Sequence, residues 1–156
     1  MKKMKIFLAT DHAGFELKEE IKKYLKSLNY DVEDEGVHSF NPNDDYPDFI
    51  AKAATKVAKN PKSKGIVFGG SGQGEAIVAN KIKGIRAAVY SGNNLDIVKL
   101  SKMHNDANIL SIGARFTTKK QAIKAVKLWL DTDFTNEKRH TRRIKKIQNL
   151  EKKLYK

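Results

Sequence analysis

The apolar residues Ile66-Val67-Phe68 run without a break into Gly69-Gly70-Ser71-Gly72-Gln73-Gly74-Glu75. A strand-length apolar run bounded by glycines reads as a buried strand, and the glycines open into a helix with a carboxylate in its first turn. Strand, loop and helix in that order suit a crossover between parallel strands, which directs the chain toward α/β architectures. Four glycines in six positions also let backbone N–H groups crowd around an oxygen-rich ligand. The spacing does not fit a nucleotide. A Walker-type loop would place Lys and then Ser or Thr after Gly74, where Glu75 and Ala76 stand. The dinucleotide pattern begun at Gly70 meets Glu75 where a small residue is needed. A fixed negative charge is badly placed to hold a phosphate and well placed to abstract a proton beside a developing oxyanion. The loop reads as part of an active site.

The rest of the chain repeats this alternation. Strands are predicted at residues 5–10, 31–35, 65–68, 85–90 and 108–112, and helices at 14–28, 48–59, 75–81, 93–103 and 117–130. Residues 41–47 read as a loop by composition. The expected fold is a Rossmann-like three-layer α/β/α domain around a mostly parallel five-stranded sheet. Ligands bind such sheets beyond the carboxyl ends of the strands. Asp11-His12, the glycine loop and Gly113-Ala114-Arg115 all follow strands and so share that edge. Residues from about 136 to 156 form a charged helical arm with Ile144, Ile147, Leu150 and Leu154 on one stripe. Residues 1–156 are read as one domain, its arm packing on a partner subunit rather than on its own domain, which is complete without it.

Composition removes several classes of function. The chain has no cysteine, which excludes disulfides, thiolate catalysis and thiolate-bound metals and fits a reducing compartment. The apolar run Ile6-Phe7-Leu8-Ala9 ends at Thr10-Asp11, too short for a signal peptide or a membrane span, so a cytoplasmic protein is expected. No His-x-x-x-His pair or tight group of acids and histidines is visible, Asp44-Asp45 reads as a loop start, and neither a metal nor a cofactor is expected. The net charge of +13 raises nucleic acid as a partner. Only five of the 31 basic residues are arginine, however, and the lysines spread over nearly every predicted helix without interleaved aromatics. They are read as a solvated surface whose field favours an anionic substrate, and a nucleic-acid partner is not expected.

Other residues could carry chemistry. Asp11 is either a helix cap or an acid/base carboxylate, and His12 beside it can bind an anion. His104 sits where a helix ends before strand five; an isolated histidine there is either structural or catalytic. His38 and His140 have no comparable setting. Arg139 and Arg143 are four apart on the arm and share a face, and guanidinium forks match phosphate oxygens as lysine cannot. Salt bridges to nearby acids are the alternative.

Taken together, several segments resemble the type B ribose-5-phosphate isomerases and the related galactose-6-phosphate isomerase subunits. They are Asp11-His12-Ala13-Gly14-Phe15-Glu16-Leu17-Lys18, Asp45-Tyr46-Pro47, the glycine loop through Glu75, Ala79-Asn80-Lys81, Gly84-Ile85-Arg86-Ala87, His104-Asn105-Asp106-Ala107-Asn108, Gly113-Ala114-Arg115 and Arg139-His140-Thr141-Arg142-Arg143. The resemblance implies a cytoplasmic, metal-free sugar-phosphate isomerase whose sites form in a homodimer or a dimer of dimers. One branch of that family uses a cysteine just before the glycine loop as its base; Gly69 stands there, and the chain resembles the other branch, which uses a glutamate, here Glu75. The expected roles follow. Glu75 shuttles the proton between C1 and C2, kept ionised by the helix dipole, and the Gly70, Gly72 and Gly74 backbone with Ser71 stabilises the enediolate. Asp11 and His104 open the sugar ring, and Asn105 holds the substrate. His12, Arg115, Arg139 and Arg143 hold the phosphate, and which of them the neighbouring subunit supplies is left open. Galactose 6-phosphate or allose 6-phosphate is the alternative substrate, and an inactive sugar-phosphate sensor a further one.

Overall fold

The computed structural model describes residues 3–92 and 94–155. Strands β1 (Lys5–Thr10), β2 (Asp31–Asp34), β3 (Lys64–Gly69), β4 (Ala87–Tyr90) and β5 (Ile109–Gly113) pair in the order β2-β1-β3-β5-β4. All four pairings are parallel. Side chains alternate across the sheet, so β1, β3 and β5 each feed two cores. Ile6, Leu8, Ile66, Phe68, Leu110 and Ile112 face helices α1 (Phe15–Ser27), α4 (Leu95–Met103) and α5 (Lys119–Asp131), packing with Ile21, Leu25, Val98 and Trp129. Phe7, Ala9 and Val67 meet Ile50, Ala53, Ala54, Val57 and Ala79 of α2 (Tyr46–Lys59) and α3 (Gln73–Ala79) on the other face. The expected three-layer α/β/α sandwich is thus present, with its sheet wholly parallel.

Element boundaries moved for local reasons. Tyr46 and Pro47, expected in a loop, form the first turn of α2, where proline has no needed N–H to lose. β4 begins two residues late because the Arg86 N–H donates to the Asn108 side chain at 2.7 Å instead of to a ladder. The predicted start of the fourth helix at Asn93 lies outside the described residues, and α4 begins at Leu95 after an Asn94 cap. Thr118 and Gln121 cap α5 reciprocally.

The arm forms α6 (Lys138–Leu154). Only His140 and Ile144 of it are buried, while Ile147, Leu150 and Leu154 are 42%, 55% and 66% exposed. An apolar stripe left in water is costly for a monomer and marks an interaction surface. Among the described residues, no helix is long and apolar enough to cross a membrane.

Candidate active site

β1 lies between β2 and β3, so the strand order reverses between β1 and β3, where ligands bind in open α/β sheets. The buried Thr10 hydroxyl sits 3.1 Å from the Phe68 carbonyl and 2.9 Å from that of Asp11, tying the two strand exits together. Asp11 is buried, and its Oδ1 accepts the Ala13 N–H at 3.0 Å. Capping therefore occupies one of its oxygens, and the cap and acid/base readings coexist.

His12 is gripped from a distant loop. Asp44 Oδ1 accepts both the His12 backbone N–H, at 3.0 Å, and its ring Nδ1, at 2.7 Å. Nε2 makes no hydrogen bond among the described residues. The Asp44 side chain is nearly buried, and its Oδ2 has no hydrogen-bond partner among the described residues. This overturns the reading of Asp44 as a mere loop start. With Asp11 and His12 it forms a group of possible metal-ligand atoms within 4.8 Å of one another, which the sequence reading held to be absent. The loop brings it from 32 residues away, so no local spacing signalled it.

Glu75 is 4% exposed. A Cβ added at Gly69 would fall inside its carboxyl group, so this carboxylate fills the space a side chain at residue 69 would need. Burial, with the neighbouring Asp11 charge adding to it, pushes the Glu75 carboxyl above its ordinary pKa against backbone hydrogen bonds at Glu75 and Gly72. Its place in the first turn of a seven-residue helix does not outweigh burial, so the carboxyl is held above its ordinary pKa rather than below it. A carboxyl raised toward neutrality is better matched to proton abstraction.

The loop itself is fastened in place. Gly72 has φ +80°, and its carbonyl accepts the Ser111 hydroxyl of β5 at 2.7 Å. The Ser91 hydroxyl donates to the Ser71 carbonyl at 3.2 Å, and Ser71 Oγ accepts the Gln73 N–H at 3.3 Å. Gly74 lies against the Tyr46 ring, which a Cβ there would strike. Tyr46 was not among the expected site residues; its position at the start of a helix reaching this edge is what brings it in. The Arg115 N–H donates to the Gly70 carbonyl at 3.0 Å, and its guanidinium lies over Gly70.

The remaining candidates are elsewhere. His104 caps the end of α4 before β5, and Arg86, at the start of β4, donates to the Asn105 and Asp106 carbonyls. Both candidates therefore lie at the amino edge of the sheet, with β5 between them and the glycine loop, roughly 13 Å of strand. The N-terminus of α6 is there too: Thr135 donates to the Met103 carbonyl, and His140 stacks on His104 with ring centroids 4.2 Å apart. The dismissal of His140 as having no comparable setting is corrected. Burial and the His104 ring hold His140 below the usual histidine pKa. Arg139 pairs with Glu137 at 3.1 Å, while Arg143 is exposed on the same flank. The candidate residues of one chain thus lie at two opposite edges of the sheet.

The family described as Ribose/Galactose Isomerase matches residues 6–147. The ribose-5-phosphate isomerase B of Mycobacterium leprae (strain TN) is 38% identical over 152 residues, 97% of this chain and 93% of that protein. The corresponding protein of Mycolicibacterium paratuberculosis is 40% identical over 90% of this chain and 87% of its own. Among solved structures, ribose-5-phosphate isomerase B from Clostridium thermocellum superposes with a TM-score of 0.91 at 44% identity, covering 97% of this chain and 99% of that one. The Mycoplasma genitalium protein, solved with bound ribulose-5-phosphate, gives 0.92 at 40% identity with the same coverage.

Proposed function

The chain belongs to the ribose/galactose isomerase family, and on that basis we propose that it interconverts ribose 5-phosphate and ribulose 5-phosphate through an enediolate. The observation that carries this reading is the Glu75 carboxyl, buried in the space of a missing Gly69 side chain and hydrogen-bonded by the backbone at Gly72, in the glycine loop. Glu75 takes the proton from C2 and returns it to C1. The loop N–H groups and the Ser71 hydroxyl stabilise the enediolate oxygen, an arrangement in which one lost donor costs about 10²–10³-fold in rate. Asp11 and His104 exchange protons with the ring oxygen and anomeric hydroxyl, and Asn105 positions the sugar. His12, Arg115, Arg139 and Arg143 hold the phosphate. The reaction moves one proton from C2 to C1 and one from the C2 hydroxyl to the C1 oxygen, and it needs no redox partner.

The two half-sites meet only if two chains do. We infer a homodimer, alone or paired as a dimer of dimers, in which the glycine-loop edge of one protomer faces the His104 edge of its partner. A groove of about 430 Å³ between α6 and β4, lined by Ile85, Ala88, Ile147, Leu150 and Leu154, supports an α6 that engages a second copy. Its exposed apolar stripe is the arm expected to embrace a partner.

The test is turnover of ribose 5-phosphate by the purified protein with EDTA present, beside galactose 6-phosphate and allose 6-phosphate. Chelator-resistant turnover preferring the pentose is expected. Preference for a hexose phosphate would change the substrate and keep the chemistry; no turnover of any of the three would end the enzyme reading.

Asp44 gives a second measurement. Cutting it back by Asp44→Ala frees the His12 ring, and because His12 grips the phosphate in substrate and transition state alike, KM should rise about tenfold with kcat little changed. A fall in kcat at unchanged KM would move His12 from phosphate binding to the proton transfers.

A further inference from the structure

Isomerisation has no use for most of the chain's +13 charge. The folded protein does not spread it evenly. Helix α6 holds eight Lys and Arg against Glu151 alone, a net +7, while no other helix exceeds +3. At 100° per residue, Lys138, Arg142, Lys145, Lys146, Lys152 and Lys153 project together from the face opposite His140, Ile144, Ile147 and Leu154. All six are exposed, and none has an ion-pair partner among the described residues. Between Lys138, Arg142, Lys145, Lys146 and Asn149 lies a shallow groove of about 520 Å³.

We propose that this face of α6 binds the phosphate backbone of double-helical nucleic acid. The cations fall in two groups, four within residues 138–146 and two at 152–153, over roughly 22 Å of helix, so several can neutralise phosphates at once. Other occupants fit less well. A second copy carries the same excess charge and is repelled. A membrane surface needs several apolar side chains on or flanking the basic face, and on α6 Leu150 alone flanks it, Ile144, Ile147 and Leu154 pointing the opposite way. An acidic protein would lack the aromatic or apolar anchors that fix protein interfaces. A single strand would lack a ring to stack on, as no aromatic residue lies on this face. The contact is to phosphate, so it is indifferent to sequence. It is separate from Arg139 and Arg143 and does not rest on the isomerase reading.

The test is fluorescence anisotropy of a labelled short DNA duplex titrated with the intact protein. With about four phosphates engaged, affinity should fall on the order of 100-fold between about 50 and about 200 mM salt. Joint Lys138→Glu, Lys145→Glu and Lys146→Glu substitution should abolish binding at the lower salt and leave sugar-phosphate turnover unchanged, which also reports that the variant folds. A control with the same charge change elsewhere, Lys59→Glu, Lys62→Glu and Lys120→Glu, should bind almost as well as the parent. Replacing the same α6 lysines with glutamine should weaken binding in the same order. No duplex binding at the lower salt, equal loss in the control, or displacement of the duplex by phosphatidylserine vesicles or polyglutamate at matched charge would each overturn the proposal.

Discussion

Glu75→Gln is expected to lower kcat for ribose 5-phosphate by about 10²–10⁴-fold, the range for loss of a positioned general base. The same substitution is expected to raise the melting temperature at neutral pH. Glu75 has its carboxyl pKa raised in the fold, burial being the main cause and the Asp11 charge the second. For such a group the folded state resists ionisation, so the cost is absent below the unfolded pKa and grows as pH rises through the folded one. Glutamine has nearly the same shape and no charge, and it escapes that cost. The gain in melting temperature should therefore be present at pH 7–8 and fade below about pH 4.5, where the parent is protonated in both states. In the parent, kcat/KM should fall on the acid side with an apparent pKa above the ordinary carboxylate range. Near-normal turnover by Glu75→Gln would remove Glu75 from the base role, whatever happened to stability.

Much of the fold could be read from the residues because it rests on local rules. Short apolar runs alternate with helical periodicity, and that alone called for the three-layer sandwich and the shared carboxyl edge of β1, β3 and β5. Glu75 was legible for the same reason: a loop, a helix start and a carboxylate are neighbours in sequence. Its setting was not. Whether a first-turn glutamate is exposed and ionised or buried and raised depends on the missing side chain at Gly69, which only packing reveals. Asp44, Tyr46 and His140 were missed because each acts across the fold, on His12, Gly74 and His104 respectively. The separation of the two edges was legible, since His104 precedes β5 where Arg115 follows it. Which of these residues meet across a subunit boundary was not, because strand order within one chain does not say how two copies pair.

That separation leads to a test that substitution of one residue at a time does not supply. Glu75→Gln inactivates the glycine-loop half-site, and His104→Ala inactivates the amino-edge half-site. Each homodimer then has two dead sites. If a site is built from one half of each protomer, mixing the two variants under exchange gives heterodimers in which both lesions fall in one site and the other is intact. With equal amounts and random pairing, half the dimers are mixed and half their sites are whole, so activity should return to about a quarter of the parent value. If each chain instead completed its own site, every site in the mixture would keep one lesion, and activity would stay at the level of the separate variants. The exposed stripe of α6 should govern how readily exchange occurs: Leu150→Glu or Leu154→Glu in both partners weakens the dimer, and the recovered activity then depends on protein concentration. Recovery that is absent under conditions where exchange is demonstrated would overturn the shared site, because both lesions would then act within the chain that carries them.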